Sequence, residues 1–233
     1  SLKQLFDLAH RLGWCSHSNP ARQVKLEASR YGKNAQTKKL TRFCVSEIRN
    51  LIEVALANEK IARGTNIHWC DGLALAFAAQ TGLRFGEQAA LHWDAVDLEK
   101  SRVNVERVVR KIGPKIYEIQ DAPKTDAAYR PVFLTPQLVT QLREWKLRSP
   151  HNDLVFPTRA GTFHTQSANW YNRVLHPACD EVGIDRIRWH DLRHFFASIC
   201  LELFGEDLNR ICKVMGHKSI NTTRELYGHW IDD

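Results

Sequence analysis

The sequence contains no Cys-x-x-Cys pair, no internal repeat, no low-complexity tract, and no apolar run near the ~18 residues of a membrane helix. Each absence excludes a class. Without a long apolar segment, no membrane partner is expected. The six cysteines, at 15, 44, 70, 179, 200 and 212, are scattered singly. That is how reduced intracellular thiols are used, not a disulfide scaffold, and it predicts a cytoplasmic location. The N-terminus, Ser-Leu-Lys-Gln-Leu-Phe, has neither an initiator Met nor a basic-then-apolar leader, and reads as a cut fragment rather than a secretory signal. At 43% hydrophobic and 25% charged, the 233 residues hold ample material for a core. Wholesale disorder is excluded, and one or two domains are expected.

A charge bias is also lacking over most of the chain. Residues 46–233 balance acid against base, so the whole net charge of +7 sits in 1–45. There Lys3, Arg11, Arg22, Lys25, Arg30, Lys33, Lys38, Lys39 and Arg42 face only Asp7 and Glu27. Residues 20–44 have little apolar periodicity and include Pro20 and Gly32, so they read as a basic linker. Charge alone leaves a polyanion contact and a merely solvated linker equally open.

Local patterning predicts a mainly α-helical chain with one small three-stranded antiparallel sheet, an α+β fold. Leu2, Leu5, Phe6, Leu8, Ala9 and Leu12 have helical spacing and mark 1–19 as the end of a preceding domain. The main domain is expected over 45–233. Ser46 is expected to cap a helix that turns Ile48, Leu51, Ile52 and Ala55 to one face. An Ala/Leu-rich helix over about 66–80 should stop at Thr81-Gly82. Alternation around 103–107, 116–119 and 129–134 predicts the three strands. Further helices are expected over about 136–148, 165–182, 190–204, 207–215 and 219–230, with Pro136 in a first turn.

Several short motifs carry side chains suited to phosphate chemistry. In Thr81-Gly-Leu-Arg-Phe-Gly-Glu87, a glycine stop followed at once by a new helix places Arg84 in a turn. A guanidinium there can grip a phosphate, or simply pair with Glu87. Pro123-Lys-Thr125 sets Lys124 between two candidate strands, where an ammonium is either solvated or poised to protonate a leaving oxygen. Trp189-His-Asp-Leu-Arg-His194 places His190 and His194 at i and i+4 with Arg193 beside them. A zinc site is disfavoured because Asp191 is a methylene shorter than a glutamate base and Arg193 would face the metal. Met215-Gly-His-Lys puts His217 just past a helix stop, with Tyr227 ten residues later. The helix-break-helix at 207–230 also suits a DNA reader without catalysis.

The order of these elements resembles the tyrosine recombinase (phage integrase) family over about 40–233, with 1–30 similar to the last helix of that family's core-binding domain. The resemblance implies a tyrosine recombinase catalytic-domain-like fold and a site-specific integrase that cleaves and rejoins DNA through a 3′-phosphotyrosyl intermediate. It implies Tyr227 as nucleophile, Arg84 and Arg193 as the phosphate grip, and His217 as a donor to the same oxygens. His190 would be the acid/base partner and Lys124 the acid for the leaving oxygen, with Glu87 in support; His194 stays outside this set. No metal and no cofactor are implied. Five cationic or imidazole groups around one phosphate would also favour a phenolate. The implied partners are double-stranded DNA, further copies of the chain (a tetramer on DNA) and accessory DNA-bending proteins, in a bacterial nucleoid or phage-infected host. In that setting the linker side chains Arg22, Lys25, Arg30, Lys33, Lys38, Lys39 and Arg42 would follow the DNA backbone. A type IB topoisomerase-like relaxation activity and a non-catalytic DNA-binding module are the alternatives.

Overall fold

The computed structural model describes residues 43–62 (59–62 by backbone alone), 70–121, 129–205 and 207–227. The expected helix at 1–12, residues 20–42 of the basic linker with all their basic side chains, and Lys124 lie outside these residues.

The first helix, α1 (Val45–Ala62), begins one residue before Ser46. Its first turn is closed by the Glu47 carboxylate, which accepts a 2.9 Å hydrogen bond from the Cys44 N–H, so Ser46 is not the cap. Ile48, Leu51 and Ala55 are buried, as the spacing predicts. They pack toward α2 (Asp71–Thr81). That helix carries no polar stripe: ten of its eleven residues are buried, which makes it the central strut of the core.

Gly82 ends α2 in the left-handed region at φ 61°, its N–H bonded to the Ala78 carbonyl. A side chain there would be strained, and its Cβ would lie 2.3 Å from the Phe196 ring. The sharp stop lets the short helix α3 (Phe85–Ala89) start immediately, with Arg84 as its N-cap residue in extended conformation.

The strands correct the expectation in part. The described residues hold two antiparallel sheets rather than one. β1 (Val96–Asp97), β2 (Arg102–Val105) and β5 (Arg130–Phe133) form the three-stranded sheet in the order β1-β2-β5. β3 (Arg107–Gly113) and β4 (Ile116–Asp121) form a separate ribbon. The break at Glu106 was hidden because the alternation Val103, Val105, Arg107 runs through it. In fact Val103 and Val105 are buried while most of the β3–β4 ribbon is half-buried or exposed. The first sheet therefore contributes the buried strand residues, and the ribbon adds the half-buried Val109 against the same cluster.

Thr135 caps α4 (Pro136–Arg148), accepting from the Leu138 N–H at 3.3 Å, and Pro136 sits in the first turn as expected. The stretch expected as one helix over 165–182 is α5 (Ala168–Trp170), a π-turn (Tyr171–Leu175) and α6 (His176–Val182). The chain then forms α7 (Trp189–Phe204), α8 (Leu208–Met215) and α9 (Ile220–Tyr227). None of the described helices is long and apolar enough to cross a membrane. The result is a mostly helical fold with small antiparallel sheets.

Two hydrophobic clusters divide the interior. The larger joins α1, α2, the three-stranded sheet, α4, the π-turn and the first half of α7. The smaller consists of Ala197, Cys200, Ile211, Met215 and Tyr227, flanked by Phe196, Leu201, Phe204, Leu208, Val214 and Leu226.

Candidate active site

The C-terminal end of α8 organises the site. An α-helix leaves its last carbonyls without helical partners and carries partial negative charge there. Gly216, left-handed at φ 66°, turns the chain away, and the His217 N–H closes back on the Cys212 carbonyl at 3.0 Å. The Gly216 N–H takes the Lys213 carbonyl, and the three carbonyls after it are each taken by an arginine from a different element. Arg130 Nε of β5 donates to Val214 O at 3.0 Å and Arg84 Nη2 donates to Gly216 O at 2.8 Å. Arg193 Nη2 of α7 donates to Met215 O. A second Arg193 bond, from Nη1 to Gly82 O, ties α7 to the end of α2.

Glu87 holds two of these arginines together. Its carboxylate accepts from the Arg84 N–H at 2.9 Å and from Arg84 Nη1 at 2.8 Å. It also accepts from Arg130 Nη1 and Nη2 at 3.3 and 3.0 Å. Burial pushes this carboxyl up, yet the Arg130 charge and hydrogen bonds, with Arg84 behind them, hold it at about 2. The Arg84–Glu87 pair expected of a bland surface contact thus exists, but inside a network. The side chain of Arg130 is 5% exposed and that of Glu87 8%, whereas that of Arg84 is 40% exposed and opens toward solvent. Arg193 is buried; burial and the Arg84 charge push it down to about 9, so it remains cationic at neutral pH.

Tyr227, the last residue of α9, is fully buried. Its hydroxyl lies 2.9 Å from His194 Nδ1, and its ring stacks on His217 with centroids 6.1 Å apart and planes 16° from parallel. His217 Nδ1 is fixed at 2.8 Å by the Thr223 hydroxyl of α9. His190 is exposed at the start of α7, its ring edge-on to that of His194 at 4.7 Å. Burial, followed by neighbouring charges, pushes all three imidazoles down: His194 and His217 to about 4, and His190 in the same direction. They are neutral at pH 7.

Arg193 and Arg84 pull on the phenol in the direction the expected cationic pocket implies. Burial pushes the Tyr227 phenol up to about 12, outweighing the pull of Arg193 and Arg84. The hydroxyl is protonated at neutral pH.

The structure therefore brings Arg84, Glu87, His190, Arg193, His217 and Tyr227 to one place. Two members were missed by sequence reasoning. The motifs give His194 no role, although it follows Arg193 directly. Arg130 was passed over as a strand residue, and its only signal is a charged side chain where the strand alternation predicts an inward position.

The family pattern of phage integrases matches residues 42–232. Among curated proteins, the chain is similar to the prophage integrase IntR of Escherichia coli K12. The two are 31% identical over 186 residues, which is 67% of this chain and 42% of that protein. It is also similar to a XerC-like tyrosine recombinase of Caldanaerobacter subterraneus subsp. tengcongensis, 29% identical over 67% of this chain and 44% of that one. The chain thus spans less than half the length of these relatives. In fold it is similar to the Tn1549 transposon integrase solved with transposon right end DNA. That match has a TM-score of 0.67 at 18% identity and covers 83% of this chain and 63% of that one. It is likewise similar to the XerH site-specific recombinase bound to difH substrate in a post-cleavage complex, with a TM-score of 0.64 at 24% identity over 85% and 52%. With the matched pattern spanning most of its length, the chain belongs to the phage integrase family.

Proposed function

We propose that this chain is the catalytic part of a site-specific DNA recombinase that cleaves and rejoins strands through a 3′-phosphotyrosyl bond. The observation that carries the reading is the gathering of Arg84, Arg193, His217 and Tyr227, contributed by separate elements, around the end of α8.

The chemistry follows from these groups. In phosphoryl transfer, negative charge spreads over the non-bridging oxygens, and preorganised donors stabilise it. The two guanidiniums are held by backbone carbonyls before any phosphate arrives, so little reorganisation is needed. Arg84, the exposed one, meets the phosphate first. His217 donates to the same oxygens, with His190 as acid/base partner at the open side of the site and Lys124 protonating the leaving 5′-oxygen. Glu87 keeps Arg84 in place. The phosphotyrosyl bond retains the energy of the broken phosphodiester, so rejoining to a new strand needs neither ATP nor metal.

Double-stranded DNA is the partner, with the basic side chains Arg22 to Arg42 along its backbone and affinity falling steeply with salt. Recombination between two duplexes needs four cleavages, which a tetramer of this chain on DNA would supply, with bending proteins as accessories. The reaction belongs in the cytoplasm.

The test is a covalent trap: nicked duplexes selected for binding, incubated in EDTA and run on a denaturing gel beside Tyr227→Phe. A protein-linked band that disappears in the variant supports the reading. DNA binding without a band would make the chain a reader only, and relaxation of supercoils without strand exchange would make it topoisomerase-like.

A further inference from the structure

We propose that Thr223 is a positioning residue for the reaction: its hydroxyl donates to His217 Nδ1 and so holds the imidazole proton on Nε2, the nitrogen left to face a phosphate. The inference rests on the phosphotyrosyl reading above and adds what makes His217 a donor in it. His217 and Thr223 are six positions apart, and the turn at Gly216 folds the chain back so that Nδ1 and Oγ1 meet at 2.8 Å. The Thr223 side chain is fully buried and His217 is 6% exposed. Thr223 lies four positions before Tyr227 on α9, and both are buried, so they share one helix face. Two residues of that face therefore fix the His217 ring, Thr223 by its hydrogen bond and Tyr227 by its stacked ring.

The direction of the bond decides which nitrogen carries the proton. Burial first, then Arg193, Arg84, Arg130 and His190, push His217 down to about 4, so at pH 7 the ring is neutral and has a single N–H. Were that N–H on Nδ1, it would donate to Thr223 Oγ1, and the hydroxyl proton would need an acceptor of its own. Two other helical threonines find one in the carbonyl four residues back. Thr81 Oγ1 donates to Phe77 O at 2.7 Å and Thr140 Oγ1 to Pro136 O at 3.1 Å. Thr223 makes no such bond, and among the described residues His217 Nδ1 is the one partner of its hydroxyl. A buried O–H without an acceptor is costly, so the hydroxyl donates to Nδ1 and the ring proton sits on Nε2. Nε2 itself has no hydrogen-bond partner among the described residues, which leaves its proton for the non-bridging oxygens of a phosphate. The opposite tautomer would present those oxygens with a lone pair and repel them.

The experiment uses the full-length gene product, labelled with nitrogen-15 histidine for imidazole NMR and assayed on the nicked duplex for adduct formation. The His217 signals are identified by their loss in His217→Ala. Expected at pH 7 is a neutral ring with its proton on Nε2 and none on Nδ1. Expected for Thr223→Val is adduct formation slowed by about 3–10-fold, the equivalent of one hydrogen bond, with DNA affinity held. Thr223→Ser, which keeps the hydroxyl, should recover most of that loss. His217→Ala alone should slow the reaction by about 10²–10³-fold. Because Thr223 acts through His217, adding Thr223→Val to that variant should cost no further rate. A proton on Nδ1 in the unmodified protein would overturn the assignment. So would a Thr223→Val rate equal to the unmodified one, a loss that follows DNA affinity, a loss that Thr223→Ser does not relieve, or the same loss repeated in the His217→Ala background. No adduct from the unmodified protein would instead overturn the phosphotyrosyl reading, while the imidazole spectrum would still decide the tautomer.

Discussion

The proposed phosphate grip and the proposed nucleophile are built on different foundations. Arg84 and Arg130 extend from elements of the large cluster, where α2 is buried on almost every side and Leu75, Phe77 and Leu138 are fully enclosed. Tyr227 belongs to the small cluster, in which it is one of five buried members among the described residues. α7 joins the two: Trp189, Leu192 and Phe195 pack in the large cluster, Ala197 and Cys200 in the small one. Local stability follows the apolar area each part encloses. Among the described residues, the half proposed to stabilise charge therefore encloses the more apolar area, and the half proposed to present the hydroxyl the less. The arginine bonds to α8 and the His194–Tyr227 contact are what hold the second against the first.

The sharpest way to separate the halves is Tyr227→Phe. It should abolish covalent adduct formation while lowering stability by only about 1–3 kcal/mol, the cost of leaving His194 Nδ1 without its hydroxyl. Urea unfolding alongside the adduct assay checks both numbers. Residual adduct would place the nucleophile elsewhere.

Glu87→Gln strikes the half with the larger apolar area. It removes the carboxylate between Arg84 and the buried Arg130, at an expected cost of about 3–5 kcal/mol. Because the Glu87 carboxyl is held at about 2 against an ordinary 4.5, its contribution is fully present above pH 4.5 and is lost as pH falls toward 2. The gap in urea midpoint between the two proteins should therefore close over that window. A gap independent of pH would contradict the ion network.

Met215→Ala tests the small cluster, where loss of a fully buried side chain should cost about 2–4 kcal/mol. Hydrogen exchange should quicken mostly in 208–227, with α2 little changed. Uniform acceleration over both would show a single cooperative unit. The smallest effect belongs to Thr223→Val, which removes the hydroxyl at His217 Nδ1. Expected is about 0.5–1.5 kcal/mol, read in the same titration.

Much of this was legible in the sequence where one local rule governed. The glycine stop at Gly82, the proline start at Pro136, and the helical faces of 189–204 and 208–215 emerged as expected. The strand pairing was not legible. Alternation says which residues face one side, and it ran unbroken through Glu106, where the chain leaves one sheet for another. Arg130 and His194 were invisible for a different reason. Each owes its role to a partner 33 or more positions away, Tyr227 for His194 and Glu87 and Val214 for Arg130. The protonation state of Tyr227 needs burial as well as charge, because burial outweighs the downward pull of Arg193 and Arg84.

The central claim is that Tyr227 becomes bonded to DNA. It is tested most directly by digesting the trapped adduct with trypsin and nuclease and sequencing the peptides by mass spectrometry. Expected is a 3′-phosphonucleotide on the peptide that follows Arg224, located at Tyr227. A nucleotide on any other residue, Tyr171 or Tyr129 included, would contradict it.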